Sequence, residues 1–450
     1  MTDTTLAAYA SQAAPRYTSY PTAPHFLRNF PEQTYRGWLG RLDPDRPMSL
    51  YLHVPFCRQM CWYCGCNMKL VKREGPLASY VDTLIDEITL VAAALPARMR
   101  VAHLHWGGGT PTALSPEQIT RVMSHVRTCF EIEPDAELAI ESDPRTLTSE
   151  MIACLATLGF NRASFGVQEF DPVVQETINR IQPPDMVARA VGEFRQAGIR
   201  AINFDLIYGL PHQTVAKLLK TVDLVASMAP DRIALFGYAH VPWMAKNQRM
   251  IPEDALPGAE ARAAQAARAA EAIVARGYQA IGLDHFALPE DGLARAARAG
   301  RLHRNFQGYT DDASDTMIGL GATSIARTPF GYAQNTAETG AWARAVAAGH
   351  LPVAKGLAFT GEDRLRAAVI ERIMCDGAVD LDAMGQSFGR DPQWWAEERA
   401  RLRDMAADGL VEVSRSGLRL TERGAPLARV VAAVFDTYLA TGVARHSVAV

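Results

Sequence analysis

The sequence predicts an α/β protein: an incomplete (β/α) barrel of six units followed by a smaller, mostly helical, winged-helix-like domain. Three observations carry this. Short apolar runs recur six times and end in polar or glycine-rich residues, amphipathic segments separate them, and the composition changes near residue 355. A chain of 450 residues exceeds one ordinary core. We therefore expect an N-terminal arm over 1–45, a catalytic domain over 46–350 and a C-terminal domain over 355–450.

The first strand is read over Met48–Val54 and ends at Pro55, which cannot continue a ladder. Behind it, Leu77, Tyr80, Val81, Leu84, Ile85 and Ile88 recur at helical spacing. The second strand, 101–106, runs into Gly107-Gly-Gly-Thr110-Pro-Thr, where missing side chains let a ligand reach the backbone. Alone, that triplet reads equally as a phosphate loop or a tight turn. The third strand, 138–141, ends in Glu141-Ser-Asp-Pro-Arg145, and the fourth, 163–168, ends on Gln168. The fifth spans 199–211 and holds Asp205; the sixth, 232–240, ends at Ala239-His240.

Amphipathic segments 150–158, 186–197 and 215–228 fall between the strands, so the pairing is parallel with crossover helices. The active site of such a barrel lies at the strands' C-terminal ends. Glu141, Gln168, Asp205 and Ala239 fall there, although any one of them also reads as a cap or turn residue. Arg180 reads as a surface cation or as a carboxylate clamp.

The stretch 16–22, Arg-Tyr-Thr-Ser-Tyr-Pro-Thr, reads as a surface arm or as a cover over a substrate cavity. Residues 255–275 are helix-prone, and 280–287 return to strand-like residues carrying Asp284 and His285. Helical segments at 361–373, 381–388 and 394–408 precede an alternating hairpin at 409–421. This region holds more Asp and Glu than Arg and no lysine, which disfavours nucleic acid despite the winged-helix pattern.

The chemistry-bearing signal is Cys57-x3-Cys61-x2-Cys64, with Tyr63 inside it and Cys66 just beyond. Three thiolates on one loop can hold three irons of a cubane cluster and leave the fourth iron open. A structural zinc site would draw on a second Cys/His pair, and none follows at that spacing. Seven cysteines, an odd number, and no basic-then-apolar leader in the first residues argue against a disulfide framework. Net charge of −3 disfavours nonspecific nucleic-acid or anionic-membrane binding, no run suffices for a membrane helix, and a cytoplasmic protein is expected.

Taken together, the chain resembles the oxygen-independent coproporphyrinogen III oxidase (dehydrogenase) family of bacterial haem biosynthesis, within the radical S-adenosylmethionine (SAM) superfamily. The resemblance runs almost end to end. It rests on Arg16-Tyr-Thr-Ser-Tyr-Pro-Thr-Ala, the 57–66 loop, His105-Trp-Gly-Gly-Gly-Thr-Pro-Thr, Gly166-Val-Gln168 and Asp205-Leu-Ile-Tyr-Gly-Leu-Pro. Tyr238-Ala-His, Asp284-His-Phe-Ala and His303-Arg-Asn-Phe-Gln-Gly-Tyr-Thr extend it. Trp62 departs from the pattern: it keeps a ring where a second tyrosine is expected but lacks the hydroxyl.

The resemblance implies a partial barrel holding one [4Fe-4S] cluster on Cys57, Cys61 and Cys64, and two SAM molecules. Tyr51, Gly108, Glu141 and Ile325 would surround one SAM. Tyr63, Gly109, Thr110, Gln168, Arg180, Asp205 and Ala239 would surround the other. Tyr51, Cys66, Asp284 and His285 are the catalytic candidates, Cys66 as an extra cysteine that is not a cluster ligand. Arg16, Arg249 and Arg304 are candidates for the four carboxylates of coproporphyrinogen III. The implied reaction converts two propionates to vinyl groups, giving protoporphyrinogen IX. A low-potential electron donor, an electron acceptor and a monomeric state are expected; a haem-binding chaperone on the same scaffold is the alternative.

Overall fold

The structure, a computed structural model, describes residues 8–439. The stretch read for a leader, residues 1–5, lies outside them. The chain forms two compact units: Leu27–Gly277 with Ser314–Leu357, and Met1–Phe26 with Tyr278–Ala313 and Ala358–Val450. Among the described residues no helix is long and apolar enough to cross a membrane.

The first unit contains the barrel. Its six parallel strands are β1 (Met48–Val54), β2 (Arg100–Gly108), β3 (Glu131–Ser142), β4 (Arg162–Gln168), β5 (Ala201–Tyr208) and β6 (Arg232–Gly237). They pair in sequence order, each parallel to the next. The crossover helices are α1 (Glu74–Ala94), α2 (Pro116–Cys129), α3 (Ser149–Thr157), α4 (Pro184–Gln196) and α5 (Val215–Ser227). Helix α6 (Ala259–Val274) follows β6.

Strands covered on both faces must be apolar on both. In β1 every residue is buried except Tyr51, a candidate site residue, which is half-buried; Ser49 and His53 are the polar residues among the buried ones. Helix α2 fills the step between β2 and β3 that the strand reading left open. Ser115 and Gln118 cap its N-terminus reciprocally, and Ile119, Val122, Met123 and Val126 form its buried face.

Beyond the six units, β7 (Met317–Leu320) pairs parallel to β1, extending the barrel sheet on its other edge. β8 (Ile325–Thr328) and β9 (Gly331–Asn335) continue it antiparallel. The expected N-terminal arm contains an eight-residue helix, Glu32–Leu39, which buries Tyr35, Trp38 and Leu39.

The second unit contains the winged-helix arrangement. Helix Gly361–Asp376 is followed by strand Ala378–Asp380, helices Leu381–Ser387 and Ala396–Ala407, and strands Val411–Val413 and Gly417–Leu420. The last strand lies in the middle of the three, antiparallel to both others. Helix Gly361–Asp376 starts on a Thr360–Asp363 capping box and ends on Gly377 at φ 65°, a backbone angle that glycine takes without strain.

Its core includes Leu365, Val369, Ile373, Trp395, Leu402 and Phe435, joined by Tyr17 and Tyr20. The 16–22 stretch is therefore not a surface arm. Tyr17 is 4% exposed and donates to Asp436 at 3.0 Å.

Candidate active site

In the barrel unit, β1 delivers the cysteine loop and β2 delivers the glycines. The Gly109 N–H donates to the Val54 carbonyl at 2.9 Å and the Thr110 N–H to the Phe56 carbonyl at 2.8 Å. This clamps the glycine loop to the start of the cysteine loop. A Cβ on Gly109 would lie 2.7 Å from the Phe56 carbonyl oxygen, and one on Gly107 would lie 2.7 Å from Glu141 Oε1. Gly108 takes φ 112° against the His53 ring. Gly108, by its backbone angle, and Gly109, by its backbone neighbours, therefore require glycine, whereas a side chain at 107 would displace the end of Glu141.

The four thiols of the loop are free and differ in surroundings. Cys61 is buried, Cys57 and Cys64 are half-buried, and Cys66 is exposed. Cys57 Sγ lies 3.3 Å from Thr110 Oγ1, and burial pushes its thiol up to about 12. Cys64 is lowered to about 7, chiefly by a hydrogen bond from the Cys66 thiol and also by the Cys66 N–H at 3.4 Å. Two cations face Cys61: Arg145 Nη2 at 3.2 Å and Arg180 Nη1 at 3.4 Å. Both are tied to Asp143, Arg145 at 2.6 Å and Arg180 at 3.5 Å. Burial alone would raise the Asp143 carboxyl, but Arg180 and Arg145 outweigh it and hold it at about 2.

At the strand ends, Glu141 and Asp205 interact with one another and with groups of β1 and β2. Glu141 accepts from the Gly108 N–H at 3.2 Å and lies 3.3 Å from His105 Nε2. His105 stacks on Tyr51 with ring centroids 5.9 Å apart, and the Tyr51 hydroxyl lies 3.1 Å from His53 Nδ1. Asp205 is raised to about 7, by burial first and then by the charge of Glu141, against the pull of Arg180 and His105.

Gln168 sits at φ 66°, a strained region for a residue with a side chain, at the very end of β4. Its buried Oε1 has no hydrogen-bond partner. Arg180 is not a surface cation: it is 6% exposed and donates to the Gly166 carbonyl through Nε at 2.9 Å and Nη2 at 2.6 Å. Ala239 accepts from Gln248 Nε2 at 3.2 Å, and Ile325 opens β8 beside Gly319.

Several residues here escaped the sequence reading. Asn247 Nδ2 reaches the carbonyls of Cys61, Trp62 and Cys64, and Gln248 Nε2 reaches that of Tyr63. Neither has a local signal, because they belong to a short 3-10 turn, Lys246–Met250, 186 residues beyond Cys61. Arg145 had a signal: its place two residues after Asp143 at a strand end.

The second unit holds the other candidates. Asp284 Oδ1 lies 2.7 Å from His285 Nδ1. Burial would raise the Asp284 carboxyl, but the His285 bond and charge, followed by Arg304 and Arg16, lower it on balance. Arg304 donates to the Arg16 carbonyl through Nε at 3.3 Å and Nη2 at 3.2 Å, and covers the Tyr309 ring at 4.3 Å. Its Nη1 is buried without a partner. Arg249 belongs to the barrel unit, where it lies exposed on the 3-10 turn of Asn247.

Among the described residues no group of His, Cys, Asp or Glu converges to hold a single metal ion. A cubane asks for something else, one thiolate per iron. The donor set fits that demand: three thiols on one loop, two guanidiniums facing the buried one, and a glycine cradle beside them.

Comparison with known proteins agrees. Residues 51–225 match the radical SAM superfamily, and residues 359–427 match the HemN C-terminal domain. The chain is 48% identical, over 98% of each chain, to the oxygen-independent coproporphyrinogen III oxidase of Bradyrhizobium diazoefficiens. This chain belongs to the oxygen-independent coproporphyrinogen III oxidase family. The Paracoccus denitrificans member is 44% identical over 94% of each chain.

The solved structure of the Escherichia coli coproporphyrinogen III oxidase, described as a radical SAM enzyme, matches with a TM-score of 0.91 at 38% identity. The match covers 95% of this chain and all of that one. As a member of this oxidase family, the chain is a radical SAM oxidoreductase, and the superfamily implies a [4Fe-4S] cluster and SAM.

Proposed function

We propose that the chain carries out the anaerobic oxidative decarboxylation of two propionates of coproporphyrinogen III to vinyl groups, giving protoporphyrinogen IX for haem. The names of the matched relatives support the substrate. The observation that carries the reading in this chain is the three-thiol loop clamped to the glycine cradle by the Gly109 and Thr110 N–H groups. A [4Fe-4S] cluster bound there with SAM supplies hydrogen-atom abstraction through a 5′-deoxyadenosyl radical.

The chain's own residues do the rest. Cys57, Cys61 and Cys64 hold the cluster, with Arg145 and Arg180 offsetting thiolate charge at Cys61. Tyr51, Gly108, Glu141 and Ile325 line one SAM site. Tyr63, Gly109, Thr110, Gln168, Arg180, Asp205 and Ala239 line a second, where the unpartnered Gln168 Oε1 is free to accept a ligand N–H or O–H. Arg16 and Arg304 bind substrate carboxylates, the latter through its unpartnered Nη1, and Arg249 supplies a further exposed cation. Asp284 fixes the orientation of His285 through Nδ1. Cys66, whose N–H reaches the Cys64 sulfur at 3.4 Å, stands beside the cluster ligands as the family's extra cysteine, not itself a ligand. The enzyme works as a cytoplasmic monomer with a separate low-potential electron donor and a final electron acceptor.

The test is an anaerobic assay of reconstituted protein with coproporphyrinogen III, SAM and a low-potential reductant. Protoporphyrinogen together with about two deoxyadenosines per molecule, one radical per propionate, supports the reading. Deoxyadenosine without product moves the substrate elsewhere. Neither, in protein with an intact cluster that binds haem, replaces the reading with a haem chaperone.

A further inference from the structure

Behind the cysteine loop, on the barrel unit, is a cavity of about 590 Å³ that the site above does not use. The strand Phe56–Cys57 forms one wall, paired in parallel with the strand Lys69–Leu70 so that Leu70 stands directly across from Cys57. The Val71 N–H donates to the Cys57 carbonyl at 2.9 Å, and the Lys69 N–H to the Pro55 carbonyl at 2.7 Å. The Leu70 backbone is therefore one strand spacing, ~5 Å, from that of Cys57, so a group covering the Leu70 side chain faces the strand beside Cys57. Inside the cavity, Phe56 meets Tyr80 edge-on at 5.2 Å and Tyr80 stacks on Trp342 at 4.5 Å, so the floor is rigid and aromatic.

The rim is cationic. Lys69, Lys72 and Arg73 line the cavity and are exposed, and no carboxylate lines it with them. Among the described residues, no hydrogen bond or ion pair engages the Lys72 or Arg73 side chain, and Lys69 donates only to Thr339 Oγ1 at 2.7 Å with Glu338 at 3.9 Å. The chain as a whole is net acidic, with charge −3, and has only six lysines, two of which stand here within four residues. Leu70, which follows Lys69 in the chain and lines the same cavity, is 43% exposed. An exposed leucine beside two unpaired cations, Lys72 and Arg73, and a third, Lys69, paired only at 3.9 Å with Glu338, has the anatomy of a transient protein interface steered by electrostatics.

We propose that this face docks an acidic electron-carrier protein, which delivers one low-potential electron beside Cys57. The inference rests on Cys57 being a cluster ligand. Acidic groups of the carrier pair with Lys69, Lys72 and Arg73, and an apolar edge near its redox group covers Leu70. The carrier is oxidised by one electron and the cluster is reduced by one; no bond or proton is exchanged. A small anion would satisfy the cations but leave Leu70 uncovered, so a protein fits the whole surface better.

The test uses reconstituted protein and a photoreduced acidic flavodoxin as the probe. Reduction of the cluster is followed by its visible absorbance and by electron paramagnetic resonance, and binding is followed separately on the cluster-free protein. The triple variant Lys69→Glu, Lys72→Glu, Arg73→Glu changes only exposed residues. It should slow reduction by flavodoxin about tenfold or more at low salt, with the gap closing at high salt. Flavodoxin binding should weaken in parallel, and reduction by dithionite should stay within about twofold, as expected for exposed charges outside the redox site. A cluster that forms and is reduced by flavodoxin at the same rate in both proteins overturns this docking site alone. So does binding of inorganic phosphate that survives while flavodoxin binding is absent. Protein that takes up no cluster overturns the reading of Cys57, and this inference with it.

Discussion

Asn247 holds Cys64 from across the barrel unit: its Nδ2 donates to the Cys64 carbonyl at 2.8 Å. The same amide is 3.1 Å from the Cys61 carbonyl and 3.2 Å from that of Trp62. One side chain thus reaches three carbonyls within four residues of the loop, in the part beyond the short Phe56–Cys57 strand. Asn247→Ala should leave the fold intact but loosen the thiols. We expect less iron and sulfide retained per chain after reconstitution, with a weaker cluster absorbance and faster loss to a chelator. Iron retention equal to the unmodified protein would show that the loop keeps its shape unaided.

Arg145 and Asp143 are both nearly buried and joined at 2.6 Å. Removing one member of a buried pair leaves an uncompensated charge, which costs on the order of 3 kcal/mol. Arg180 stays within 3.5 Å of Asp143 and softens that loss. Arg145→Met should therefore lower unfolding free energy by about 2 kcal/mol, measured by urea denaturation of the cluster-free protein.

Gly109 has no room for a side chain, since an added Cβ would meet the Phe56 carbonyl oxygen at 2.7 Å and the Phe56 nitrogen at 2.8 Å. Both are backbone atoms, so the loop itself must move. Gly109→Ala should abolish SAM binding in calorimetry and reduce cluster retention, while circular dichroism stays unchanged.

Asp205 carries a pH signature. Its carboxyl is raised from 3.8 to about 7, by burial first and then by Glu141. The native state holds this proton more tightly than the unfolded chain does. Its contribution to stability is therefore complete below about pH 4, declines as pH rises toward 7, and is lost above. Asp205→Asn should remove this decline, so the variant gains on the unmodified protein between those limits. SAM carries a sulfonium cation, and the ionised carboxylate attracts it, so SAM affinity should rise through about pH 7 in the unmodified protein and be flatter in the variant. Parallel unfolding and calorimetric titrations check both slopes.

Arg304 presents a buried Nη1 with no partner, while its Nε and Nη2 bind the Arg16 carbonyl. Arg304→Gln should weaken binding of coproporphyrin III, a stable carboxylate probe, by about tenfold or more, as loss of a charge-assisted hydrogen bond implies. Arg249→Ala, at an exposed site, should weaken it less. Fluorescence titration separates the two.

Much of this was legible along the chain. Six strand–helix units can be read from apolar periodicity because each element buries its own face and so carries its own pattern. The cysteine loop, the glycine triplet and the residues at strand ends are contiguous signals: the loop needs no distant partner to be recognised, and a parallel barrel puts strand ends in one place. Helix α2 was equally legible, from Ser115, Gln118 and an i, i+3, i+4, i+7 apolar face.

Other features exist only once the chain has folded. Arg145 and Arg180 meet Cys61 from 84 and 119 residues away, and Asn247 reaches it from 186. Tyr17 finds Asp436 across 419 residues, which turned an apparent surface arm into part of a core. Leu70 stands opposite Cys57 because of a two-residue parallel pairing too short to leave a periodic trace. Sequence patterns report which face of an element must be buried. Which polar group meets which is decided by packing, because a single hydrogen bond or ion pair between distant residues imposes no repeat on the sequence around it.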